Sequence, residues 1–261
     1  MDVRLDDRTA LITGASQGLG RAMAAEFARS GADVALLART PATLDEAVAA
    51  IGAEAPEVTV RGYPCDVSDP AALARAHAAV VADLGDVDIV VNNAGTSAAK
   101  PFEDVTDDDW YHDFDLKFMA AVRLIRLCLP AMKAQRWGRV INVINTAAKA
   151  PRPRSTPTSV SRAAGMAMTK ALAGEVAPHG ILVNALNTGV LVTSQWHRLH
   201  AERDPDTPFD DFLAAQGRAV PLGRMGDAAE FANLACFLAS DRASYITGTA
   251  INVDGGLSPV V

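Results

Sequence analysis

The sequence predicts an α/β fold in which a parallel sheet of about seven strands is covered by helices on both faces. Short apolar runs, such as residues 9–13, alternate regularly with longer amphipathic stretches. These runs are apolar at successive positions, as expected of strands that are buried on both faces. The 261 residues, of which 49% are hydrophobic and 21% charged, are enough to build one globular domain.

The predicted elements alternate between strands and helices along the chain. The short apolar runs predict strands over residues 9–13, 33–38, 58–63, 88–92, 139–144, 182–186 and 249–253. The longer amphipathic stretches predict helices over residues 20–30, 42–51, 70–84, 107–134, 158–177 and 228–238. Because helices connect most of the successive strands, we expect the strands to run parallel in a doubly wound sheet.

One stretch departs from this alternation. Residues from about 190 to 224 mix tryptophan, histidine, proline and many charged side chains. A long insertion between sheet elements usually forms a lid or a substrate loop. We therefore expect a substrate lid at about 190–224, within a single domain that spans residues 1–261.

The composition argues against several classes of function. With 24 basic and 31 acidic residues the net charge is −7, which disfavours binding to nucleic acid. Three widely spaced cysteines without a CxxC pair do not form a disulfide framework. The N-terminal residues do not resemble a signal peptide, and no charge-free stretch is long enough for a membrane span. We therefore expect a cytoplasmic protein that binds neither nucleic acid nor membrane.

A glycine-rich turn, TGASQGLG over residues 13–20, follows the first predicted strand. Glycines at positions 14, 18 and 20 let the backbone turn tightly and approach a pyrophosphate. The N-terminus of the following helix offers N–H groups and a partial positive charge to the same phosphates. Since the turn lies in the first strand–helix unit, where the mechanism requires it, the sequence predicts a Rossmann-type site for a nicotinamide dinucleotide.

The end of the second strand indicates which dinucleotide is bound. An acidic residue there would hold the ribose hydroxyls of NAD, but residues 36–40 contain Arg39 and no Asp or Glu. A guanidinium pairs with a 2′-phosphate, so the sequence favours NADP(H) over NAD(H), with a solvated surface arginine as the alternative. After the third strand, Asp66 is placed to accept a hydrogen bond from the adenine amino group. The small residues of Asn92–Gly95 let the chain pass beneath the adenosine.

Four motifs in this order resemble the short-chain dehydrogenase/reductase family, and the resemblance covers essentially the whole chain. They are TGASQGLG at 13–20, CDV at 65–67, NNAG at 92–95 and ITGTAINVDGG at 246–256. The resemblance implies an oxidoreductase that acts on a small carbonyl or alcohol substrate. It also implies a homotetramer (or homodimer) in which the helices beginning at 107 and 158 pair between subunits.

The motif and the resemblance together assign the cofactor contacts. They are Gly14, Ser16, Gln17, Gly18, Leu19, Gly20, Arg39, Asp66, Val67, Asn93, Ala94, Gly95, Arg162, Gly189, Val190 and Thr193.

The catalytic residues that the family uses are absent. In the family a Tyr is followed four residues later by a Lys, with a Ser thirteen residues before the Tyr and an Asn on the preceding long helix. None of the three tyrosines here has a lysine at that spacing. The residues predicted at the four family positions are Asp115 for Asn, Asn145 for Ser, Thr158 for Tyr and Arg162 for Lys.

These replacements keep polar groups but weaken acid–base chemistry. A threonine hydroxyl is far less acidic than a phenol, and Arg162 holds ribose hydroxyls without readily shuttling a proton. Asn145 can still donate a hydrogen bond to a carbonyl oxygen. Asp115 is the closest candidate for a substitute acid, either protonated in a buried position or acting through water, but we expect it to form a salt bridge with Arg162.

Two functions follow from this pattern, and both stay open. The first is an NADP(H)-dependent oxidoreductase with a non-standard proton donor. Candidates for this donor are His197 in the lid and Lys149 after the fifth strand. The alternative interpretation of Lys149 is a solvated lysine in a loop. The second is a catalytically silent relative that binds NADP(H) as a sensor or partner subunit. Halohydrin dehalogenases also carry Arg at the Lys position, but they lose the glycine-rich turn that is kept here. No metal is predicted, since His197 and His200 lack a third ligand nearby.

Overall fold

In the computed structural model the seven strands form one parallel sheet. The structure describes residues 2–261, with residue 194 described by its backbone alone. The strands are β1 (Thr9–Thr13), β2 (Asp33–Ala38), β3 (Val60–Pro64), β4 (Ile89–Asn92), β5 (Gly138–Asn145), β6 (Ile181–Thr188) and β7 (Ala250–Val253). Their order across the sheet is β3-β2-β1-β4-β5-β6-β7, and every neighbouring pair is parallel. The predicted fold class is confirmed.

Helices cover both faces of this sheet. They are α1 (Gly18–Arg29), α2 (Pro41–Glu54), α3 (Pro70–Leu84), α4 (Asp107–Phe114), α5 (Ala120–Gln135), α6 (Thr158–Val176), α7 (Ser194–Arg203), α8 (Phe209–Gly217) and α9 (Ala228–Ala239). Among the described residues, none of these helices combines the length and the apolar character needed to cross a bilayer.

Two apolar layers hold the helices to the sheet. On one face, Phe27 of α1 and Phe231 of α9 are fully buried against the strands. On the other, Val80 of α3 and Leu124 of α5 are fully buried together with Val90 of β4. Burying a side chain of this size contributes roughly 1.5–3 kcal/mol, so both faces of the sheet stabilise the fold.

The strand order reverses between β1 and β4, and this places the candidate site. Ile12 of β1 pairs with Leu36 of β2 on one side and with Val91 of β4 on the other. The connections after β1 and β4 therefore leave in opposite directions, which opens a crevice beyond the carboxyl ends of the two strands. Ligands of open parallel sheets bind at such a switch point.

The long helix predicted over 107–134 is interrupted. Between α4 and α5 the residues Asp115–Met119 form a π-helical turn, in which the N–H of Ala120 donates to the carbonyl of Asp115. Such a turn inserts an extra residue into the helix and changes which side chains face the sheet. The prediction of one continuous helix was wrong at this point, which matters for the site.

The stretch from 190 to 224 is more regular than predicted. It contains α7 and α8, which pack through their aromatic rings: the ring centroids of Trp196 and Phe212 lie 6.2 Å apart, and those of His197 and Phe209 lie 4.1 Å apart. The charged and aromatic residues that suggested an irregular loop are the two faces of short amphipathic helices.

Candidate active site

The turn between β1 and α1 has the backbone conformation that its glycines predict. Gly14 and Gly18 have φ angles of +64° and +56°, in the left-handed region that disfavours a Cβ. A Cβ on Gly20 would lie 2.3 Å from the carbonyl oxygen of Gly14, and a Cβ on Gly14 would lie 3.0 Å from the Cα of Ala94. The glycines therefore allow both the tight turn and its close contact with the chain after β4.

The segment after β4 is bound to this turn. Asn93 donates from its side-chain Nδ2 to the carbonyl oxygens of Thr13 at 2.9 Å and of Gly14 at 3.1 Å. In return, the Oγ1 of Thr13 accepts hydrogen bonds from the backbone N–H groups of Asn93 and Ala94, both at 3.0 Å. Asn93 thus fixes the shape of the turn in addition to bordering the crevice.

Two adjoining cavities occupy the crevice. The larger has a volume of about 510 Å³ and extends from the glycine turn to Arg162 and α7, and the smaller, of about 350 Å³, extends from the turn to Arg39. The side chain of Gln17, the N-cap residue of α1, makes no capping hydrogen bond to this helix, and its first turn carries no acidic residue. The open end of this helix suits phosphate groups, so the cavities fit a dinucleotide with its pyrophosphate at the turn.

Most of the predicted cofactor contacts line these cavities. They are Gly14, Ser16, Gln17, Gly18, Leu19, Arg39, Asp66, Val67, Asn93, Ala94, Gly95, Arg162 and Thr193. Their positions agree with the sequence analysis, while contact with the cofactor itself stays a prediction.

At one end of the smaller cavity, Arg39 is exposed and lies beside the hydroxyl-bearing Thr40 and Thr43. Asp66 lies nearby and accepts hydrogen bonds from the Oγ and the backbone N–H of Ser68, at 2.6 and 3.0 Å. These hydrogen bonds, with a smaller effect of the Arg39 charge, lower the pKa of Asp66. This end of the cavity therefore combines a cation with hydroxyl groups, as a phosphorylated ribose requires.

Three predicted contacts do not line the two cavities. Gly20 acts through close packing of the turn. A Cβ on Gly189 would lie 2.4 Å from the Cα of Asp254, so this glycine serves the contact with the chain after β7. Val190 borders a separate cavity, where it faces Val220 and Leu222. Thr188 borders the larger cavity in place of Gly189 and Val190.

The four predicted catalytic positions have different surroundings. Thr158, at the start of α6, is only 4% exposed, and its Oγ1 accepts hydrogen bonds from Ala98 N at 2.9 Å and from Lys117 Nζ at 3.0 Å. Arg162 donates to the carbonyl of Val143 at 3.0 Å and borders the larger cavity. Asn145 ends β5, and its buried Oδ1 has no hydrogen-bond partner among the described residues.

Asp115 does not belong to the site, and its predicted salt bridge to Arg162 is wrong. Its carboxylate pairs with Arg123 at 2.8 Å, and its side chain is 46% exposed. It lies two residues before Lys117, which turns a helix by about half a revolution and directs the two side chains to different sides. The position on the long helix that faces Thr158 is 117.

Lys117 is the buried residue beside Thr158 that the sequence analysis missed. Its side chain is 3% exposed and forms an ion pair with Asp113, which is 2% exposed and also accepts a hydrogen bond from Ser161 Oγ at 2.6 Å. Burial lowers the pKa of Lys117, the ion pair with Asp113 opposes this shift, and the charge of Arg162 adds to it. The Asp–Lys spacing of four residues on a helix was the sequence signal that could have found this pair.

These features agree with the comparisons with known proteins. The family model described as enoyl-(acyl carrier protein) reductase matches residues 14–258. The oxidoreductase UcpA of Escherichia coli is 37% identical over 259 residues, which are 97% of this chain and 95% of that protein. The chain is a short-chain dehydrogenase/reductase. As a member of this family it is an NAD(P)-dependent oxidoreductase.

Two solved structures of short-chain dehydrogenases/reductases resemble this one over its whole length. The L-sorbose reductase of Gluconobacter frateurii, solved with NADPH and L-sorbose, superposes with a TM-score of 0.95 at 34% identity, and both chains are fully covered. A short-chain oxidoreductase of Pseudomonas aeruginosa, solved with NADPH, superposes with a TM-score of 0.91 at 32% identity over 99% of each chain. The latter is described as containing an atypical catalytic center.

In this short-chain dehydrogenase/reductase, α7 borders the larger cavity with one face only. That face carries Gln195, Arg198, Leu199 and Glu202. His197 instead stacks on Phe209, and His200 contacts the carbonyl of Thr207 at 2.6 Å. The proposal of His197 as a proton donor from the lid is therefore not supported by its position.

The other candidate donor, Lys149, also lies outside the site of this dehydrogenase/reductase. Its Nζ donates to the carbonyl of Ala250 in β7 at 2.6 Å. Lys149 therefore connects the loop after β5 to the edge of the sheet. The sequence suggested either a solvated loop lysine or a side chain that reaches the pocket, and the observed position is neither of these.

Proposed function

We propose that this short-chain dehydrogenase/reductase reduces a small polar carbonyl compound with NADPH and oxidises the corresponding alcohol in the reverse direction. The observation that carries this proposal is the pair of adjoining cavities, which run from Arg39 past the glycine turn to Arg162. One end has the cation for a 2′-phosphate, and the other has room for a reacting group beside polar side chains. The L-sorbose reductase with a similar fold, solved with NADPH and a sugar, supports the same assignment.

The preference for NADP(H) rests on Arg39. A guanidinium forms charge-assisted hydrogen bonds to phosphate that are about twice as strong as neutral ones. The 2′-hydroxyl of NAD offers only a neutral partner at this place. Two of the similar solved structures were determined with NADPH, which agrees with this preference.

The substrate class follows from the residues that line the larger cavity. They include Ser97 from the segment after β4 and Gln195, Arg198 and Glu202 of α7. Hydroxyl, amide and charged groups of both signs suit a substrate that carries hydroxyl groups, because each can donate or accept a hydrogen bond. We therefore favour a small hydroxylated carbonyl compound over a long apolar one.

The cofactor, when bound, supplies a hydride to the carbonyl carbon, and this chain positions the reactants. Arg162 would hold the nicotinamide ribose, since its side chain borders the cavity and keeps its charge. Asn145 would donate a hydrogen bond to the carbonyl oxygen and stabilise the charge that develops there. α7 would exclude water from the far side of the cavity.

A second candidate function is supported by one observation. Thr158 is only 4% exposed and Ala98 donates to its hydroxyl, so the segment after β4 covers the position of the family's catalytic tyrosine. A protein that binds NADP(H) as a sensor or partner subunit needs no access to this position. The cavity beside Arg162 favours the enzyme, and the covered Thr158 favours the silent binder.

Assembly as a homotetramer stays a prediction, with two features of the surface in its support. Tyr111 on α4 is 71% exposed and Val160 on α6 is 42% exposed. These two helices are those that the family resemblance expects to pair between subunits. Light scattering of the purified protein measures the assembly directly.

The experiment that tests the proposed function combines binding and turnover. Calorimetry with NADPH and NADH measures the affinities, and loss of NADPH absorbance with L-sorbose, D-fructose and diacetyl measures reduction. We expect NADPH to bind at least about tenfold more tightly than NADH, because a charge-assisted hydrogen bond contributes about 1.5–3 kcal/mol. Turnover of a hydroxylated carbonyl supports the oxidoreductase. Tight NADPH binding without turnover of any of the three favours the silent binder instead.

A further inference from the structure

Carbonyl reduction needs a proton as well as a hydride, and the family's usual source of that proton is absent. Among the described residues, the ionisable side chain that contacts the hydroxyl of Thr158 is that of Lys117, which is paired with Asp113. Arg162 and Asn145 do not exchange protons in the accessible pH range. The source of the proton should therefore be sought in the buried ion pair of Asp113 and Lys117 on the long helix.

We propose that Lys117 supplies the proton for reduction through the hydroxyl of Thr158, and that Asp113 positions Lys117 for this role. The inference rests on the proposed function and names its proton source. The distance of 3.0 Å from Lys117 Nζ to Thr158 Oγ1 is a hydrogen bond, so the two groups are already in contact. Lys117 acts through Thr158 and is a positioning residue, whereas Thr158 would touch the substrate oxygen.

The hydrogen bonds of Thr158 explain why a threonine suffices. Its Oγ1 accepts two hydrogen bonds, from Ala98 N and from the ammonium of Lys117, which leaves its own hydrogen as the group that can be donated. A hydroxyl that accepts from a cation is polarised and donates more strongly. Thr158 is therefore a relay, and its low intrinsic acidity is not limiting.

A hydride passes to the carbonyl carbon, and the carbonyl oxygen takes the hydroxyl hydrogen of Thr158. Thr158 Oγ1 takes a proton from the Nζ of Lys117 in the same step and stays neutral. Lys117 becomes a neutral amine and regains its proton from solvent before the next cycle. In alcohol oxidation each transfer runs in the opposite direction.

The charged groups around Lys117 make proton release possible. Asp113, from its own helix, and Arg162, from α6, face it with opposite charges, while Asn92 of β4 and Asn142 of β5 contribute neutral amides near the same place. Burial lowers the pKa of Lys117 from its usual value of 10.5, the Asp113 carboxylate holds it up, and Arg162 lowers it further. The amine therefore releases its proton more readily than a solvated lysine does.

The segment over Thr158 must shift for this chemistry. Gly95, Ser97 and Ala99 are exposed, and a Cβ on Gly95 would meet the Arg162 side chain at 3.3 Å. The segment therefore lies directly on the reacting groups with its outer surface in solvent. The substrate oxygen would take its place beneath this segment, next to Thr158.

The first test measures Lys117 without any turnover. The chain has five lysines, so ¹³Cε-labelled lysine gives five signals, and the Lys117→Arg variant assigns one of them. We expect the Lys117 signal to titrate at a lower pH than the other four in the same sample, with NADP⁺ bound. A Lys117 signal that titrates together with the others, or above them, overturns the inference.

The second test removes the relay and leaves the ion pair in place. Thr158→Val deletes the hydroxyl with little change of shape, and Thr158→Ser keeps it as the matched control. We expect Thr158→Val to lower kcat by about 10²–10⁴-fold, the usual effect of a positioned acid, and Thr158→Ser to recover most of it. The affinity for NADPH, measured by calorimetry, is expected to stay the same in both variants.

The third test removes the proton source. Lys117→Met is expected to lower kcat as far as Thr158→Val and to abolish the pH dependence of kcat that Lys117 produces. Because the two groups act as a unit, the double variant is expected to be no slower than either single one. If Lys117→Met does not fold, Thr158→Val decides the question alone. Turnover by Thr158→Val with an unchanged pH profile overturns this inference but leaves the proposed function intact. Wild-type protein that binds NADPH and reduces no carbonyl overturns both the inference and the proposed function.

Discussion

Removing the carboxylate of Asp113 is predicted to destabilise the protein strongly. The side chains of Asp113 and Lys117 are 2% and 3% exposed, so Asp113→Ala leaves a buried ammonium next to Arg162 without its counter-charge. Breaking a buried ion pair in this way costs about 3–5 kcal/mol. For a chain of this size each kcal/mol lowers the Tm by about 2–4 °C, so we expect a decrease of about 6–20 °C.

The loss of stability caused by Asp113→Ala is predicted to become smaller as the pH rises. Asp113 raises the pKa of Lys117, so its loss lowers that pKa further below the usual value. A lysine whose pKa is lowered in the folded state destabilises the protein fully at pH values below that folded pKa. The penalty declines as the pH rises above the folded pKa and is gone above the pKa of the unfolded state. The difference between wild type and Asp113→Ala should therefore be largest near neutral pH and smaller at about pH 10.

Urea denaturation at equilibrium, followed by circular dichroism at equal protein concentrations, measures this effect. Asp115→Ala is the matched control, because Asp115 forms an ion pair with Arg123 at the surface of the adjoining π-helical turn, where such pairs contribute at most about 1 kcal/mol. Replacing both partners, in Asp113→Leu with Lys117→Met, is expected to recover most of the lost stability. An Asp113→Ala variant as stable as Asp115→Ala, or one whose deficit grows with pH, would refute the reasoning.

Two further predictions concern the cofactor. Arg39→Ala should weaken NADPH binding by about 10–100-fold and leave NADH binding unchanged, because the guanidinium contributes about 1.5–3 kcal/mol through the 2′-phosphate alone. Calorimetry with both cofactors measures the two affinities. An equal loss of affinity for NADPH and NADH would contradict this prediction. Gly20→Ala should abolish NADPH binding, because the new Cβ would lie 2.3 Å from the carbonyl oxygen of Gly14. Gly52→Ala is the control, since its Cβ would point into open space. This variant should bind NADPH normally and gain about 0.5–1 kcal/mol of stability. Normal NADPH affinity in Gly20→Ala would count against the assigned turn.

The fold was predictable because strands buried on both faces leave short apolar runs that are easily distinguished from amphipathic helices. Each predicted strand lies within two residues of the observed one at both ends. The glycine turn was predictable for a similar reason, since its backbone needs glycine at particular places. In both cases the physical requirement acts on residues that are neighbours in the sequence.

The catalytic side of the site was not predictable in the same way. Trp110, Phe114 and Phe118 form an aromatic row along the long helix, so the sequence pattern does not say which side faces α6. The π-helical turn then changes the register at the residues that matter, and the resemblance to the family motif selected Asp115 instead of Lys117. The prediction of a proton donor among the lid histidines was unsuccessful for a related reason. Their spacing places them on one helix face but does not say whether that face points toward the cavity.

Single-turnover reduction tests the central claim most directly, namely that the site transfers a hydride from NADPH with a proton from Lys117. Protein with one equivalent of NADPH is mixed with an excess of the best carbonyl substrate, and the fluorescence of bound NADPH is followed over a range of pH. The account predicts rapid decay in the wild type that slows as Lys117 loses its proton, and slow, pH-independent decay in Lys117→Met that still binds NADPH. Equal decay rates with the same pH dependence in both proteins would contradict it.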